Sequence, residues 1–266
     1  MRVVSWNVRR AKSSSGVWPI LIRLDPDIAL LQEVGSLPVE IESGFDVKIK
    51  TATGKTGNPQ KFSTAVITKG VIREELQLVS EYDWVNQEQD FFSGNIISCV
   101  ISLDGQTPYN VVSVYSPAWP VNKQRIRDID VSQVKLEQSP EVWVTEILWS
   151  LLRHTMTFTD GCWIIGGDYN SSETFDYLWK GGPHGNKEVM DRMNGLQLQE
   201  CLRTFKGQLT PTFKNPKGGK IIHQLDHIYV SCPIYDRIEN CTLGDGNAIF
   251  GSSLSDHLPI IADFTD

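Results

Sequence analysis

A run of four consecutive apolar residues, Ile28-Ala29-Leu30-Leu31, places the strongest constraint on the fold of this chain. A nearly continuous apolar run of this length is typical of a strand that is buried on both faces. A second predicted strand, residues 163–165, is also apolar and favours β-structure, and it ends in Gly166-Gly167. A sheet that contains such strands must be covered on both faces by other helices or strands.

Strands dominate the rest of the chain, and helices are fewer and separated. Apolar patterns predict strands at residues 1–8, 27–32, 62–68, 71–79, 94–103, 109–115, 163–165, 223–231 and 260–264. Helices are predicted after Ser15-Gly16, from Ser139-Pro140-Glu141 and from Asn186, whereas Tyr82-Asp83-Trp84 is interpreted as a loop. We therefore expect one α/β domain over residues 1–266, with two packed sheets and helices outside them.

Composition limits the class of protein without fixing its function. The chain has 266 residues, of which 40% are hydrophobic, which is enough for a large core. The net charge of −7 does not by itself indicate a nucleic-acid-binding protein, although local basic patches can still bind phosphates. No stretch approaches the length of a membrane span. The five cysteines form no Cys-x-x-Cys pair, so we expect buried free thiols, a reducing cytoplasmic location and a monomer.

Asp168 and Asn170 follow the second apolar strand directly, with Gly166-Gly167 before them. A strand that ends in glycine can turn sharply or approach another group closely. A carboxylate and an amide at this spacing can act on the same oxygen atom of a reactant. The carboxylate accepts the proton of that oxygen, and the amide holds the oxygen in place. The alternative is an ordinary polar turn, since Gly, Asp, Asn and Ser favour turns for conformational reasons alone.

Other polar side chains also lie mostly at predicted strand ends: Asn7, Glu33, Tyr115, Asp226, Asp256 and His257. A carboxylate at the mouth of a buried strand, such as Glu33, is costly unless it is paired or binds a cation. Glu33 with Asn7 or Asp256 offers the oxygen ligands that a hard cation such as Mg²⁺ or Mn²⁺ prefers. A protonated His257 would stabilise negative charge on a phosphate, helped by the Tyr115 hydroxyl. Asp226 is the better candidate to orient His257, because Asp256 is its neighbour in sequence.

Five short motifs occur in one order along the chain: Trp6-Asn7, Gln32-Glu33, Gly167-Asp168-Tyr169-Asn170, Leu225-Asp226-His227 and Ser255-Asp256-His257. This set resembles the endonuclease/exonuclease/phosphatase family, the deoxyribonuclease I-like superfamily. The resemblance implies a four-layer α/β/β/α sandwich of two mostly antiparallel sheets flanked by helices, and divalent-metal-dependent hydrolysis of a phosphate ester. It implies that Asn7 and Glu33 bind the metal, that Asp168 and Asn170 act on the nucleophile, that Asp256 and His257 act at the phosphate and metal, and that Asp226 supports the site.

The motifs fit no single branch of that family throughout. Tyr115 stands where secreted deoxyribonucleases and sphingomyelinases have His, and is similar to the exonuclease III branch. That branch usually has an aromatic residue where this chain has His227. The segment 223–226 does not resemble the inositol polyphosphate 5-phosphatases, and the segment 168–172 is similar to the deadenylase-like branch.

Basic side chains near the predicted site suggest a substrate. They form three groups on connections next to site strands: Arg9, Arg10 and Lys12; Lys55 and Lys61; Lys214, Lys217 and Lys220. These groups would line a groove along a phosphate backbone, and Trp119 would stack on a base. The leading hypothesis is a Mg²⁺-dependent nuclease that cleaves DNA or RNA by in-line attack of an activated water. The alternatives are a hydrolase of a smaller phosphoester, such as a phospholipid head group or a nucleotide, and a binding protein on this fold that has lost catalysis.

Overall fold

The computed structural model describes residues 1–105, 107–178 and 184–265 of the chain. Its strands are β1 (Arg2–Ala11), β2 (Ile28–Val34), β3 (Asp46–Thr53), β4 (Pro59–Thr68), β5 (Val71–Glu75), β6 (Ile96–Ser102), β7 (Pro108–Tyr115), β8 (Cys162–Asp168), β9 (Leu198–Glu200), β10 (Phe213–Lys214), β11 (Ile221–His223), β12 (Asp226–Ser231), β13 (Ile238–Leu243) and β14 (Ile260–Phe264). Its helices are α1 (Val17–Leu24), α2 (Val39–Gly44), α3 (Asp83–Phe91), α4 (Val144–Phe158), α5 (Glu173–Leu178), α6 (Asn186–Gly195), α7 (Cys201–Lys206), α8 (Cys232–Tyr235) and α9 (Gly246–Gly251).

Two six-stranded sheets form the centre of the fold. Their strand orders are β13-β14-β1-β2-β4-β3 and β5-β6-β7-β8-β12-β9, and the short strands β10 and β11 pair separately as a ribbon. Each large sheet contains one parallel pair, β1 with β2 and β7 with β8, and its other pairs are antiparallel. The predicted pair of mostly antiparallel sheets is therefore confirmed.

Three apolar cores define the layers. Leu30 and Ile164 lie in the core between the two sheets, where they meet strands of both. Leu31, the next residue of β2, faces the opposite way and packs with Trp18 of α1. Ile165 likewise faces a helical layer that includes α4 and α6. The apolar runs of β2 and β8 are explained because each strand buries both of its faces, and the predicted four-layer sandwich is confirmed.

Three predictions of secondary structure were wrong, and the predicted strand 71–79 ends already at Glu75. The segment at Asp83 is a helix, α3, because Trp84, Val85 and Glu88 are buried on one face of it. Helix α4 begins at Val144 rather than near Ser139, because the Glu146 carboxylate accepts a hydrogen bond from the Trp143 amide at 2.7 Å and so fixes the first turn there.

The third error concerns the predicted strand 223–231, which is divided between β11 and β12 in two different sheets. The division lies at Gln224, whose side-chain oxygen accepts a hydrogen bond from the Thr210 amide at 2.9 Å. Its side-chain amide also donates to Glu200 at 3.1 Å, so this residue is drawn into the interior instead of extending a strand.

The sequence also predicted the state of the cysteines and the lack of a membrane span. All five cysteines are free, but only Cys99, Cys201 and Cys241 are buried; Cys162 is half-buried and Cys232 is exposed, which corrects the expectation that all are buried. Among the described residues, no helix combines the length and the apolar character needed to cross a membrane.

Candidate active site

Polar side chains from both large sheets meet at one edge of the sandwich. The parallel pairs β1–β2 and β7–β8 have their carboxyl ends there, and these ends carry Asn7, Glu33, Tyr115 and Asp168. The Asn7 side-chain amide donates to Asp168 Oδ2 at 3.0 Å, which joins the first sheet directly to the second. The sequence motifs that are far apart along the chain therefore converge on one place.

Asp168 lies at the centre of this cluster. In the sheet it is the direct neighbour of Tyr115 on β7 and of Asp226 on β12. Its carboxylate accepts hydrogen bonds from the Asn7 side chain and, at 2.9 Å, from the backbone amide of Asn170. Burial raises the pKa of Asp168 above its usual range; the charge of His257 opposes this rise and the charge of Asp226 adds to it. A carboxylate with a raised pKa is a stronger base than a free one.

Gly167 allows the strand to deliver Asp168 to this position. Its φ is +149°, and a Cβ at this residue would lie 1.9 Å from the carbonyl oxygen of Val114 on the adjacent strand. The expected close approach at the end of β8 is therefore a contact between two backbones that only glycine permits.

Asn170 occupies the turn that follows β8. Its φ of +46° is in the left-handed region, which asparagine tolerates better than most residues. The side-chain amide donates to the carbonyl oxygen of Ser116 at 2.7 Å and to Asp168 Oδ2 at 3.2 Å. The segment is a polar turn, as in the alternative interpretation, but one whose side chain reaches the Asp168 carboxylate.

His257 is buried and held by two carboxylates. Its Nδ1 lies 2.8 Å from Asp226 Oδ2, and its Nε2 lies 3.8 Å from Asp168 Oδ2. Burial by itself lowers the pKa of His257, but the charges of Asp226 and Asp168 outweigh this effect and raise it to about 10. The imidazole is therefore cationic at neutral pH. Asp226, rather than Asp256, orients the ring.

Thr212 is a site residue that the sequence patterns did not indicate. This fully buried hydroxyl donates to Asp226 Oδ2 at 2.6 Å and accepts from the backbone amides of Leu225 and Asp226 at 3.0 and 3.2 Å. It thus fixes the carboxylate that holds His257. A threonine in the segment Thr210-Pro211-Thr212 carries no distinguishing pattern, so only the fold reveals this contact.

Tyr115 is buried next to Glu33. Burial, with added contributions from the charges of Glu33 and Asp168, raises the pKa of Tyr115 far above its usual range. Its hydroxyl therefore stays protonated and can donate a hydrogen bond. The ring of Phe62 packs edge-on against it at 5.2 Å between centroids, which fixes its orientation.

The three groups Asp168, Asp226 and His257 lie close enough together to suggest a metal centre, since one ligand atom of each falls within 4.8 Å of the others. The geometry favours a different role for this group, because His257 already contacts both carboxylates, with Nδ1 2.8 Å from Asp226 Oδ2 and Nε2 3.8 Å from Asp168 Oδ2. Glu33 and Asp256 fit a hard cation better: both offer carboxylate oxygens, and their side chains are 17% and 22% exposed.

The predicted substrate-binding residues take different positions. Arg9 and Arg10 pair with Asp256 and Glu33 at 3.7 and 3.5 Å. Lys214 is close to the site, because its backbone amide donates to the carbonyl oxygen of Asp256 at 2.8 Å. The side chains of Lys55, Lys61, Lys217 and Lys220 are exposed, and Trp119 is half-buried. Arg9, Arg10 and Lys214 are therefore next to the site, whereas the other four lysines are exposed on loops or loop ends.

Comparisons with known proteins identify the family. The model of the endonuclease/exonuclease/phosphatase family matches residues 4–257. A search of curated proteins finds no match. The fold is similar to that of an AP endonuclease from Archaeoglobus fulgidus, with a TM-score of 0.72, 19% identity and full coverage of both chains.

Two further solved structures have the same fold. The 3′ phosphatase NExo from Neisseria, bound to a product DNA hairpin, has a TM-score of 0.70, 19% identity and full coverage of both chains. The APE2 catalytic domain from Xenopus laevis has a TM-score of 0.64 and 17% identity, with 99% of this chain and 91% of that chain covered. Because the family match spans nearly all of its length, this chain belongs to the endonuclease/exonuclease/phosphatase family of phosphoester hydrolases.

Proposed function

We propose that the protein is a Mg²⁺- or Mn²⁺-dependent phosphodiesterase that hydrolyses a nucleic acid. The observation that carries this proposal is the chain of contacts Asn7–Asp168–His257–Asp226, in which a buried base and a buried cation lie side by side, with His257 Nε2 3.8 Å from Asp168 Oδ2. Phosphodiester hydrolysis needs both groups, since a water must lose a proton while the phosphate gains negative charge.

Each residue has one role in the proposed reaction. Asp168 accepts one proton of the attacking water, and the side-chain oxygen of Asn170 accepts a hydrogen bond from the other, which holds the water in line with the phosphorus atom. The His257 imidazolium and the Tyr115 hydroxyl face the negative charge that develops on the phosphate oxygens. Asp226, fixed by Thr212, keeps His257 protonated and oriented. The base thus lies at the end of β8, and the cation lies in the segment that precedes β14.

Glu33, Asp256 and Asn7 are the proposed ligands of the metal ion. Their donors are carboxylate and amide oxygens, the set that Mg²⁺ and Mn²⁺ prefer. When bound, the ion would neutralise charge on the phosphate. Asn7 Oδ1 also accepts a hydrogen bond from the Arg9 amide at 2.9 Å, so its side chain is oriented with its amide toward Asp168 and its oxygen toward the arginine segment.

A nucleic-acid substrate is supported by the position of basic groups next to this site. Arg9 and Arg10 are part of it, and Lys214 is joined to Asp256 through the backbone. Lys217 and Lys220 are on the same ribbon as Lys214, at the connection between β10 and β11. We propose that these side chains bind backbone phosphates and that Trp119 stacks on a base. Two of the similar structures are a DNA-bound 3′ phosphatase and an AP endonuclease, which favours a DNA substrate among the nucleic acids.

A panel of substrates tests the proposal. Purified protein with Mg²⁺ is offered single- and double-stranded DNA, abasic DNA, RNA, a phospholipid and an inositol phosphate. We expect cleavage of a nucleic acid that weakens steeply as salt rises, disappears with a chelator and returns with Mg²⁺. Turnover of only the small phosphoesters would replace the nuclease by the smaller-substrate hydrolase. No turnover on any substrate would favour the binding protein, and activity indifferent to chelator would contradict the metal assignment.

We further propose that residues 1–266 act as one domain, as a monomer and in the cytoplasm. The five free thiols support a reducing compartment. Sedimentation at micromolar concentration tests the monomer, limited proteolysis tests the single domain, and fluorescence imaging of a tagged chain tests the location.

A further inference from the structure

The strand β1 ends in an irregular segment that brings two arginines to the active site. Arg9 and Arg10 both have left-handed backbones, with φ of +49° and +58°. The pairing of β1 with β2 shifts register between Asn7 and Ala11. A Cβ on Gly35 would lie 2.7 Å from the carbonyl oxygen of Arg10, so the glycine makes room for the bulge. Two consecutive non-glycine residues in this conformation are strained, which indicates a position that the surrounding structure imposes.

The bulge directs the two guanidinium groups to two different carboxylates. Arg10 Nε lies 3.5 Å from Glu33 Oε2, and Arg9 Nε lies 3.7 Å from Asp256 Oδ2. The arginine side chains are 65% and 45% exposed, whereas the carboxylates are mostly covered. Arg10 also lies over the ring of Phe62, with its Cζ 5.4 Å from the centroid. The cations can therefore leave these positions toward solvent, while the carboxylates stay in place.

The two arginines balance part of the negative charge of the site. The site holds four carboxylates, those of Glu33, Asp168, Asp226 and Asp256. His257 balances the buried pair Asp168 and Asp226 in part, so Glu33 and Asp256 depend on the two arginines for their counter-charges. A cation bound at either carboxylate would take the place of the arginine paired with it.

We propose that Arg9 and Arg10 are exchangeable counter-ions of Asp256 and Glu33, which compete with the metal ion for these carboxylates and are released to substrate phosphates when the metal binds. This inference rests on the proposed function, because it takes Glu33 and Asp256 as the metal ligands. Metal and arginine compete for the same oxygens. A phosphate that draws an arginine away favours the metal, so metal and substrate each strengthen the binding of the other.

Calorimetric titration with Mn²⁺ in the absence of substrate tests the competition. We expect Arg10→Gln and Arg9→Gln each to bind Mn²⁺ about two- to five-fold more tightly than the wild type, the range that a partly exposed ion pair implies. Glu33→Gln should weaken binding strongly. The matched control is Lys12→Gln, which removes the same charge two residues further along the exit of β1, where the lysine has no ion pair with the described residues.

A second measurement separates a local contact from a general field effect. In chelator, Arg10→Gln should lower the melting temperature, because Glu33 loses its partner; with saturating Mn²⁺ the difference from the wild type should disappear. Circular dichroism confirms that each variant folds. Equal tightening by Lys12→Gln, or unchanged or weaker binding in both arginine variants, would overturn the counter-ion role and leave the metal enzyme intact. A wild type that binds neither Mn²⁺ nor Mg²⁺ would overturn the proposed function and this inference together.

Discussion

Replacing Gly167 by alanine is the sharpest test of how the fold positions Asp168, the proposed catalytic base. The new Cβ would lie 1.9 Å from the Val114 carbonyl oxygen, on the strand that pairs with β8. Non-bonded carbon and oxygen need about 3.5 Å, so a backbone must move by more than ~1 Å. The alanine must also adopt a φ of +149°, which L-residues rarely adopt.

The strained backbone and the close contact together determine the expected loss of stability in Gly167→Ala. Forcing a non-glycine residue into a sparsely populated backbone region costs roughly 1–3 kcal/mol. Overpacking a closely packed site costs about 1–3 kcal/mol more. We therefore expect Gly167→Ala to lower the free energy of unfolding by about 2–6 kcal/mol, a large part of the roughly 5–15 kcal/mol that a typical domain possesses.

Two other glycines separate these effects. Gly207 has a φ of +72°, and a Cβ added there would meet nothing within 4 Å, so Gly207→Ala carries the backbone cost alone, about 1–2 kcal/mol. Gly251 has open space and no positive φ, so Gly251→Ala should be neutral or stabilise slightly. Urea denaturation followed by the fluorescence of the eight tryptophans measures all three variants.

The order of the three losses decides the outcome. A loss below about 1 kcal/mol in Gly167→Ala, the lower bound of either effect alone, would refute the reasoning about the close contact of β7 and β8. A loss in Gly207→Ala equal to that in Gly167→Ala would show that the contact adds nothing to the backbone strain. Because Asp168 follows directly, hydrolysis by the folded fraction of Gly167→Ala should also fall.

Three further predictions concern the site and the outer layers. Asp168→Asn should lower kcat by roughly 10²–10⁴-fold while the protein stays folded, whereas His154→Ala, whose ring packs on a helix surface, should be nearly silent; normal turnover of Asp168→Asn would contradict its role as the base. Burial raises the pKa of Glu146 from 4.5 to about 7, so the folded state binds a proton more tightly than the unfolded state. The free energy of unfolding should therefore fall by up to ~3 kcal/mol as pH rises from 4.5 to 7. Urea titrations over this pH range should show the fall in the wild type and not in Glu146→Gln. Arg125→Met should cost about 3–5 kcal/mol, because it leaves the buried Glu88 carboxylate without its bidentate partner, and adding Glu88→Leu should restore most of the loss; an unchanged single variant would contradict this account.

The sequence was sufficient to predict the layers and the edge of the sheet where polar groups meet. Two runs, at Ile28 and at Trp163, are apolar on both faces because each strand lies between the inter-sheet core and a helical layer. The polar groups that follow such strands had to emerge at their carboxyl ends. The order of the strands could not be predicted, because pairs such as β1 with β14 join residues from opposite ends of the chain.

Errors arose where a tertiary contact overrides a local pattern. Ser139-Pro140-Glu141 is a good helix start by composition, but Ser139 Oγ donates to the carbonyl oxygen of Glu141 and forms a separate turn. The helix begins only where Glu146 can reach back to the Trp143 amide. Thr212 illustrates the same limit within the site, since its role depends on Asp226, which strand β12 brings to it.

The first and last segments of the chain build one half of the site together, and this affects when the site can form. The Trp6 indole donates to the carbonyl oxygen of His257 at 2.9 Å, and Ser255 Oγ donates to the carbonyl oxygen of Asn7 at 2.7 Å, across about 250 residues of chain. Contacts of such long range form late in folding, because the loop must close before they contribute any free energy. A growing chain on the ribosome therefore holds Asn7 and Asp168 long before it can place His257. The proposed hydrolysis therefore requires that the chain has been synthesised past residue 257.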